Sequence, residues 1–181
     1  IRTPINAILG MNEMILRETK DDYIREYAKD VENAANSLLS IINDILDITK
    51  IEAGKLTIIP ADYDFFGIIH DVTNMISFKA KAKELTFKVI IDDKIPSVLR
   101  GDDIRIRQIL VNLLNNAVKY THEGKITLEA KLLPCVQDNM VHISFIVKDT
   151  GIGIKEEDIQ KLYIPFERIE EKRNRNIEGT G

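Results

Sequence analysis

The sequence predicts an α+β protein: a helical hairpin that forms half of a dimeric four-helix bundle, followed by a mixed sheet with helices stacked on one face. Three observations predict it. Through the first fifty residues the apolar positions step by three and four, the seam of a coiled coil. Two later segments, Lys125 to Leu132 and Val141 to Val147, alternate apolar and polar residues with the period of a strand. Before them, Asp102 to Thr121 reads as a helix with a broad apolar face and a line of amides and cations opposite. A length of 181 residues suits one large domain or two small ones. With 44% hydrophobic and 30% charged residues the composition is that of a globular protein, and a net charge of -4 argues against non-specific nucleic-acid binding, which leaves a basic footprint. Cys135 is the single cysteine, which excludes an intramolecular disulfide and a cysteine metal cluster. No apolar run reaches the length of a membrane span, and the start carries no signal peptide.

In chain order, Ile1, Ile5, Ile8, Asn12, Ile15 and Thr19 form the seam of a first helix, widened by Leu9 and Leu16. Lys20-Asp21-Asp22 is a short polar break that supplies an N-cap. Ile24, Ala28, Val31, Ala35, Leu38, Ile42, Ile45 and Thr49 repeat the seam in a second helix, which Gly54 stops. Two helices this apolar, joined by so short a turn, pack antiparallel and keep a face to spare; a second copy would bury it. Leu56 to Ile59 is expected as a short strand ended by Pro60. Phe65 to Phe78 has helical apolar spacing, Leu85 to Ile91 reads as a strand, and Pro134 with Asp138-Asn139 turns the chain into the Val141 strand. Helices on either side of the Leu85 strand in sequence are expected to stack on one face of a mixed sheet.

The helix from Asp102 to Thr121 carries the densest chemistry. At about 100° per residue, Arg105, Gln108, Asn112, Asn116 and Lys119 fall on one stripe, and Ile106, Ile109, Leu110, Leu113, Leu114 and Ala117 occupy the opposite face. Asn is a poor helix former, so Asn112, Asn115 and Asn116 call for an explanation. Their amide oxygens suit a hard cation such as the magnesium of a nucleotide, and Lys119 suits a phosphate; hydrogen bonds to neighbouring backbone explain the asparagines equally well. Asp149-Thr150-Gly151-Ile152-Gly153 closes the last strand. A carboxylate there can accept from an exocyclic amine, and glycines admit a flat ring close to backbone, although any turn after a strand uses the same residues.

In this order and separation the two stretches resemble the N box and G1 box of the histidine kinase ATP-binding domain. Pro165-Phe166-Glu167-Arg168 resembles the F box and Gly179-Thr180-Gly181 the opening of the G2 box. Ile1-Arg2-Thr3-Pro4 resembles the tail of the H box, and Leu46 to Lys55 the connector between the family's two domains. The resemblance spans essentially the whole chain. It implies the α/β sandwich of the histidine kinase/gyrase-type ATPase superfamily, with a dimerisation and phosphotransfer hairpin at 1–54 and an ATP-binding catalytic domain at 55–181.

By motif position the resemblance makes Asn116 a magnesium ligand, sets Asn112 near the triphosphate, gives Lys119 and Tyr120 phosphate contacts, and gives Asp149 the adenine amine with Gly151 and Gly153 admitting the base. Phe166 joins the nucleotide site from the F box, and Thr180 with the Gly179 and Gly181 backbone closes on the phosphates. Thr3 stands where the family orients a water for dephosphorylating a receiver. The implied cofactors are ATP and Mg2+, and the implied partners a second copy through the hairpin and a response-regulator receiver domain, with no nucleic acid. This portion is expected in the cytoplasm, within a membrane-anchored parent. The phospho-acceptor histidine is expected just before Ile1 and the rest of the G2 box after Gly181, so a chain limited to these residues is expected neither to take a phosphoryl group nor to hold nucleotide tightly. His70-Asp71-Val72-Thr73-Asn74 mimics an acceptor motif but lacks the proline and the seam; His122 and His142 read as structural or solvated.

Two other readings compete. A gyrase-like or chaperone ATPase needs an acidic base on the N-box helix, whereas the positions a turn either side of Asn112 are Gln108 and Asn116. A non-catalytic ATP-sensing and dimerisation module, or a receiver phosphatase scaffold, would keep both boxes without turnover. Met11 and Met14 with Ala7 offer a surface where a receiver could dock.

Overall fold

The computed structural model describes residues 2–135 and 139–163. The chain divides into two compact units, Ile1–Thr57 and Ile58–Gly181. Among the described residues, no helix is long and apolar enough to cross a membrane.

The first unit is the helical hairpin, α1 (Arg2–Glu18) and α2 (Asp22–Glu52). Asp21 caps α2, its side chain accepting from the backbone N–H groups of Tyr23 at 2.9 Å and Ile24 at 3.2 Å. At the far end Ala53 is the C-cap, and Gly54 follows in the left-handed region at φ 63°, which a residue without Cβ enters at no steric cost. The seam splits in two. Ile5, Asn12, Ala28 and Ala35 are buried between the helices, whereas Ile8, Ile15, Ile24, Val31, Leu38 and Ile45 remain exposed. Asn12 is the polar member of the buried set, and its amide donates to the Ala28 carbonyl at 2.7 Å.

The second unit contains β1 (Ala61–Asp64), α3 (Phe65–Ala82), β2 (Thr86–Ile91), β3 (Val98–Gly101), α4 (Asp103–Tyr120), β4 (Lys125–Leu133) and β5 (His142–Asp149), then a 3-10 segment, Glu156–Tyr163. The main sheet has the order β2-β4-β5, with β2 and β4 parallel and β4 and β5 antiparallel, so it is mixed as expected. Its inner face is set by register: Phe87 lies beside Ile126, Val89 beside Leu128 beside Val147, and Ile91 beside Ala130 beside Phe145. On these pack Phe65, Ile68, Ile69, Val72 and Ile76 of α3 and Leu110, Leu114, Ala117 and Val118 of α4. The outer face carries Lys88, Thr127, Glu129, Lys131 and Lys148, the positions that alternate with the core residues.

The expected strand at Leu56 to Ile59 does not form. The chain pairs one step later, β1 running antiparallel to β3 with Ala61 opposite Gly101 and Asp64 opposite Val98. Pro60 cannot donate to a ladder, and Ile59 spends its N–H on Asp102 Oδ2 at 3.1 Å, so the residues before Ala61 have no edge to join. β3 was not expected; four residues containing Arg100 and Gly101 show too little alternation to read.

Candidate nucleotide-binding site

α4 starts at its N-cap, Asp102. One carboxylate oxygen takes the Ile59 N–H and the other takes the Arg105 N–H at 3.1 Å, and these two bonds, Ile59 first, hold the Asp102 carboxyl below its usual range. Two lysines, one on α3 and one at its C-cap, grip the other half of the helix. Lys79 Nζ donates to Asn115 Oδ1 at 2.7 Å, and Lys83 Nζ donates to the carbonyls of Val118 at 2.8 Å and Lys119 at 3.1 Å. Arg107 adds an ion pair to Asp71 at 2.8 Å. The three asparagines therefore separate. Asn115 is engaged with α3, whereas Asn112 and Asn116 are exposed and have no side-chain hydrogen bond among the described residues. Backbone bonding does not account for those two. Arg105 and Gln108 on the same stripe bond each other at 2.8 Å.

The apolar face of α4 is narrower than its sequence suggests. Ile109 is 59% and Leu113 44% exposed, although both were expected to be buried. Val111 and Val118 pack toward the core in addition to Leu110 and Leu114, which rotates the buried arc away from Ile109 and Leu113 and leaves these two beside Asn112 and Asn116.

The Asp149 turn is locked onto the end of this helix. The Ile152 N–H donates to the Tyr120 carbonyl at 3.2 Å, and Thr150 ties the turn to the start of β4, its Oγ1 accepting from the Lys125 N–H at 3.0 Å and its own N–H donating to the Lys125 carbonyl at 3.2 Å. Asp149 Oδ1 accepts from the Gly151 N–H at 2.8 Å, which folds the carboxylate over its own turn and leaves it exposed. The two glycines are needed for different reasons. A Cβ on Gly151 would lie 2.5 Å from the Tyr120 carbonyl oxygen; Gly153 has open space around it but a φ of 67°. Lys119 Nζ lies 4.7 Å from the centroid of the Tyr120 ring, a cation-π contact that keeps the charge at the helix end.

Of the residues singled out from the sequence, the structure thus brings Tyr120 against Gly151 and the Asp149 turn, with Lys119 over the Tyr120 ring and Asn116 and Asn112 one and two turns back along α4. Thr3 is exposed on α1, in the other unit. Phe166, Gly179, Thr180 and Gly181 lie outside the described residues. His70 sits on α3, its ring nitrogens 3.3 Å from the Asn74 amide, so it belongs to a helix of the second unit and not to the hairpin helices that the acceptor reading would require. Lys79, Lys83 and Thr150 hold the site together and were not singled out; a lysine at a helix end reads as solvated, and only the tertiary fold shows what it reaches.

Known proteins share both units. Residues 1–54 match the family model described as His Kinase A (phospho-acceptor) domain, and residues 101–181 match the model described as histidine kinase-, DNA gyrase B-, and HSP90-like ATPase. Hybrid signal transduction histidine kinase B of Dictyostelium discoideum is 38% identical over 183 residues, covering 100% of this chain and 9% of its own length. The chain belongs to the histidine kinases. Within that family, the aerobic respiration control sensor protein ArcB homolog of Haemophilus influenzae is 36% identical over 180 residues, covering 99% of this chain and 53% of its own. ShkA, solved at full length in complex with AMPPNP, superposes with a TM-score of 0.74 at 28% identity, over 92% of this chain and 35% of that one. This histidine kinase chain therefore spans between about a tenth and about half of the length of these curated relatives.

Proposed function

We propose that the protein is an ATP-dependent protein-histidine kinase of a two-component system. Residues 55–181 bind Mg-ATP, and the γ-phosphoryl passes to a histidine on the helical hairpin of 1–54 and then to an aspartate of a response-regulator receiver. The observation that carries the reading is the pair Asn112 and Asn116, two amides exposed and unengaged among the described residues, on a helix whose end is bonded to the Asp149 turn. The nucleotide analogue in the ShkA structure supports it.

In this reading the Asp149 carboxylate accepts from the adenine amine, and Gly153 leaves the base room where no neighbouring atom intrudes. Lys119 and Tyr120 hold phosphate oxygens at the end of α4, with Asn112 near the triphosphate. Among the described residues no three His, Cys, Asp or Glu side chains gather into a metal site. A magnesium ion on the Asn116 amide oxygen would thus draw its other ligands from phosphate and water, its ordinary preference. It would supply charge neutralisation to the phosphoryl group. The protein's own part is positioning: it presents a histidine nitrogen in line with the γ-phosphorus, the P–N bond forms as the bond to the β,γ-bridging oxygen breaks, and ADP leaves. Phe166 and the Gly179-Thr180-Gly181 backbone complete the nucleotide site, and Thr3 orients a water for the opposing activity, hydrolysis of the receiver's aspartyl phosphate to inorganic phosphate.

The exposed half of the hairpin seam fits a second copy of the chain, because Ile8, Ile15, Ile24, Val31, Leu38 and Ile45 form the continuation of the apolar pattern that the hairpin leaves uncovered.

The test is incubation of the whole protein with γ-labelled ATP and magnesium beside an Asp149→Asn variant. Acid-labile, base-stable label that disappears in the variant is the expected result. ATP binding with no label in the wild type would make the module a nucleotide sensor or a phosphatase scaffold instead.

A further inference from the structure

A helix ends with four carbonyls that lack intrahelical partners, and these carry the negative pole of the helix dipole. Phosphate groups are normally received at the opposite, N-terminal end. The proposed nucleotide site does the reverse, since Lys119 and Tyr120 are the last two residues of α4. The structure shows where those carbonyls go. The Ala117 carbonyl accepts from the Thr121 N–H at 3.1 Å, and the Tyr120 carbonyl from the Ile152 N–H of the Asp149 turn at 3.2 Å. The two between them, on Val118 and Lys119, are both taken by the ammonium group of Lys83, which is itself the C-cap of α3.

We propose that Lys83 is a positioning residue for the nucleotide. It places a full positive charge on the two carbonyls behind the phosphate-facing end of α4, so that the helix end does not repel the polyanion, and it fixes the backbone from which Lys119 and Tyr120 project. The inference rests on the nucleotide site proposed above. Lys83 acts through that backbone, and its effect scales with the charge of the ligand; a role in packing alone would not.

Dissociation constants for ATP and for adenosine, read by displacement of a fluorescent adenine nucleotide from the whole protein, separate the two roles in wild type, Lys83→Met and Lys83→Arg. The expected result is that Lys83→Met weakens ATP about fivefold, the scale of a helix-end charge, with adenosine within about twofold of wild type, and that Lys83→Arg restores ATP. A Lys83→Met protein whose ATP-to-adenosine affinity ratio equals that of wild type overturns the proposal, whether both affinities are unchanged or both fall together as misfolding would cause. If wild type itself displaces nothing, the nucleotide site is overturned and this proposal with it.

Discussion

At the scale of single residues, the two glycines of the Asp149 turn give a sharp contrast. A methyl group at Gly151 meets the Tyr120 carbonyl oxygen at 2.5 Å, and backbone at a helix end cannot swing aside as a flexible side chain can. Gly151→Ala is therefore expected to cost about 1–3 kcal/mol, the range for forced overpacking, and to part the turn from α4. Gly153→Ala meets nothing and bears only the cost of a left-handed backbone, about 1–2 kcal/mol. Chemical denaturation ranks the stabilities, and nucleotide titration shows whether Gly151→Ala loses the larger share of ATP affinity. The sequence made Asp149, Gly151 and Gly153 visible because a carboxylate and two glycines after a period-two strand form a local pattern. It could not divide Asn115 from Asn112 and Asn116, because the divider is Lys79, thirty-six residues away on another helix.

Among elements, the central strand β4 holds a titratable group with a strongly perturbed proton affinity. Glu129 has a side chain only 10% exposed and accepts from Lys148 at 2.7 Å and Lys131 at 2.9 Å; these two bonds, Lys148 first, draw its pKa from 4.5 down to about 2. A carboxyl whose folded pKa is depressed adds stability that is present above the unfolded pKa and lost as pH falls toward the folded one. The stability advantage of wild type over Glu129→Gln is thus expected to be full at neutral pH and to shrink between pH 4.5 and about 2. Urea unfolding of both proteins across that range checks it; an advantage that stays constant to pH 2.5 would show that the lysines do not hold the carboxylate ionised. Helix positions were legible from periodicity, including the amide stripe of α4. The width of its apolar face was not, because Ile109 and Leu113 satisfy the same spacing as core residues while the sheet's position decides which arc is covered. The β1–β3 pair escaped for a related reason: with four residues each, both strands are specified by each other rather than by their own pattern.

For the molecule as a whole, the hairpin leaves one of its two seams uncovered, and this sets a prediction about assembly. Leu38→Glu, on the exposed seam, is expected to convert a dimer into a monomer while leaving helix content unchanged, because Ala28, Ala35 and Ile5 between the helices are untouched. Sedimentation together with far-ultraviolet circular dichroism reads both quantities, and an unchanged dimer would move the interface elsewhere. The change from a seam of period three and four to alternation of period two signalled a hairpin followed by a sheet, and the chain divides into two compact units, Ile1–Thr57 and Ile58–Gly181. The lysines at the end of α3 that bind the end of α4 were not legible, since they are side-chain contacts between elements rather than properties of either.

The parallel pairing of β2 with β4 also governs the order in which the second unit assembles. Thr86 finds Lys125 only after β3 and all of α4 have been made, whereas β4 and β5 are neighbours in sequence joined by a short connection. Closing the shorter loop costs less entropy. The β4–β5 hairpin with α4 is accordingly the nucleus expected to form first, and a ribosome releases β2 well before the strand it must join. Kinetic analysis of Val147→Ala should show a slowed folding rate, and Val89→Ala mainly a faster unfolding rate. The opposite ranking would mean that the early half of the chain finds its partner without waiting for the hairpin.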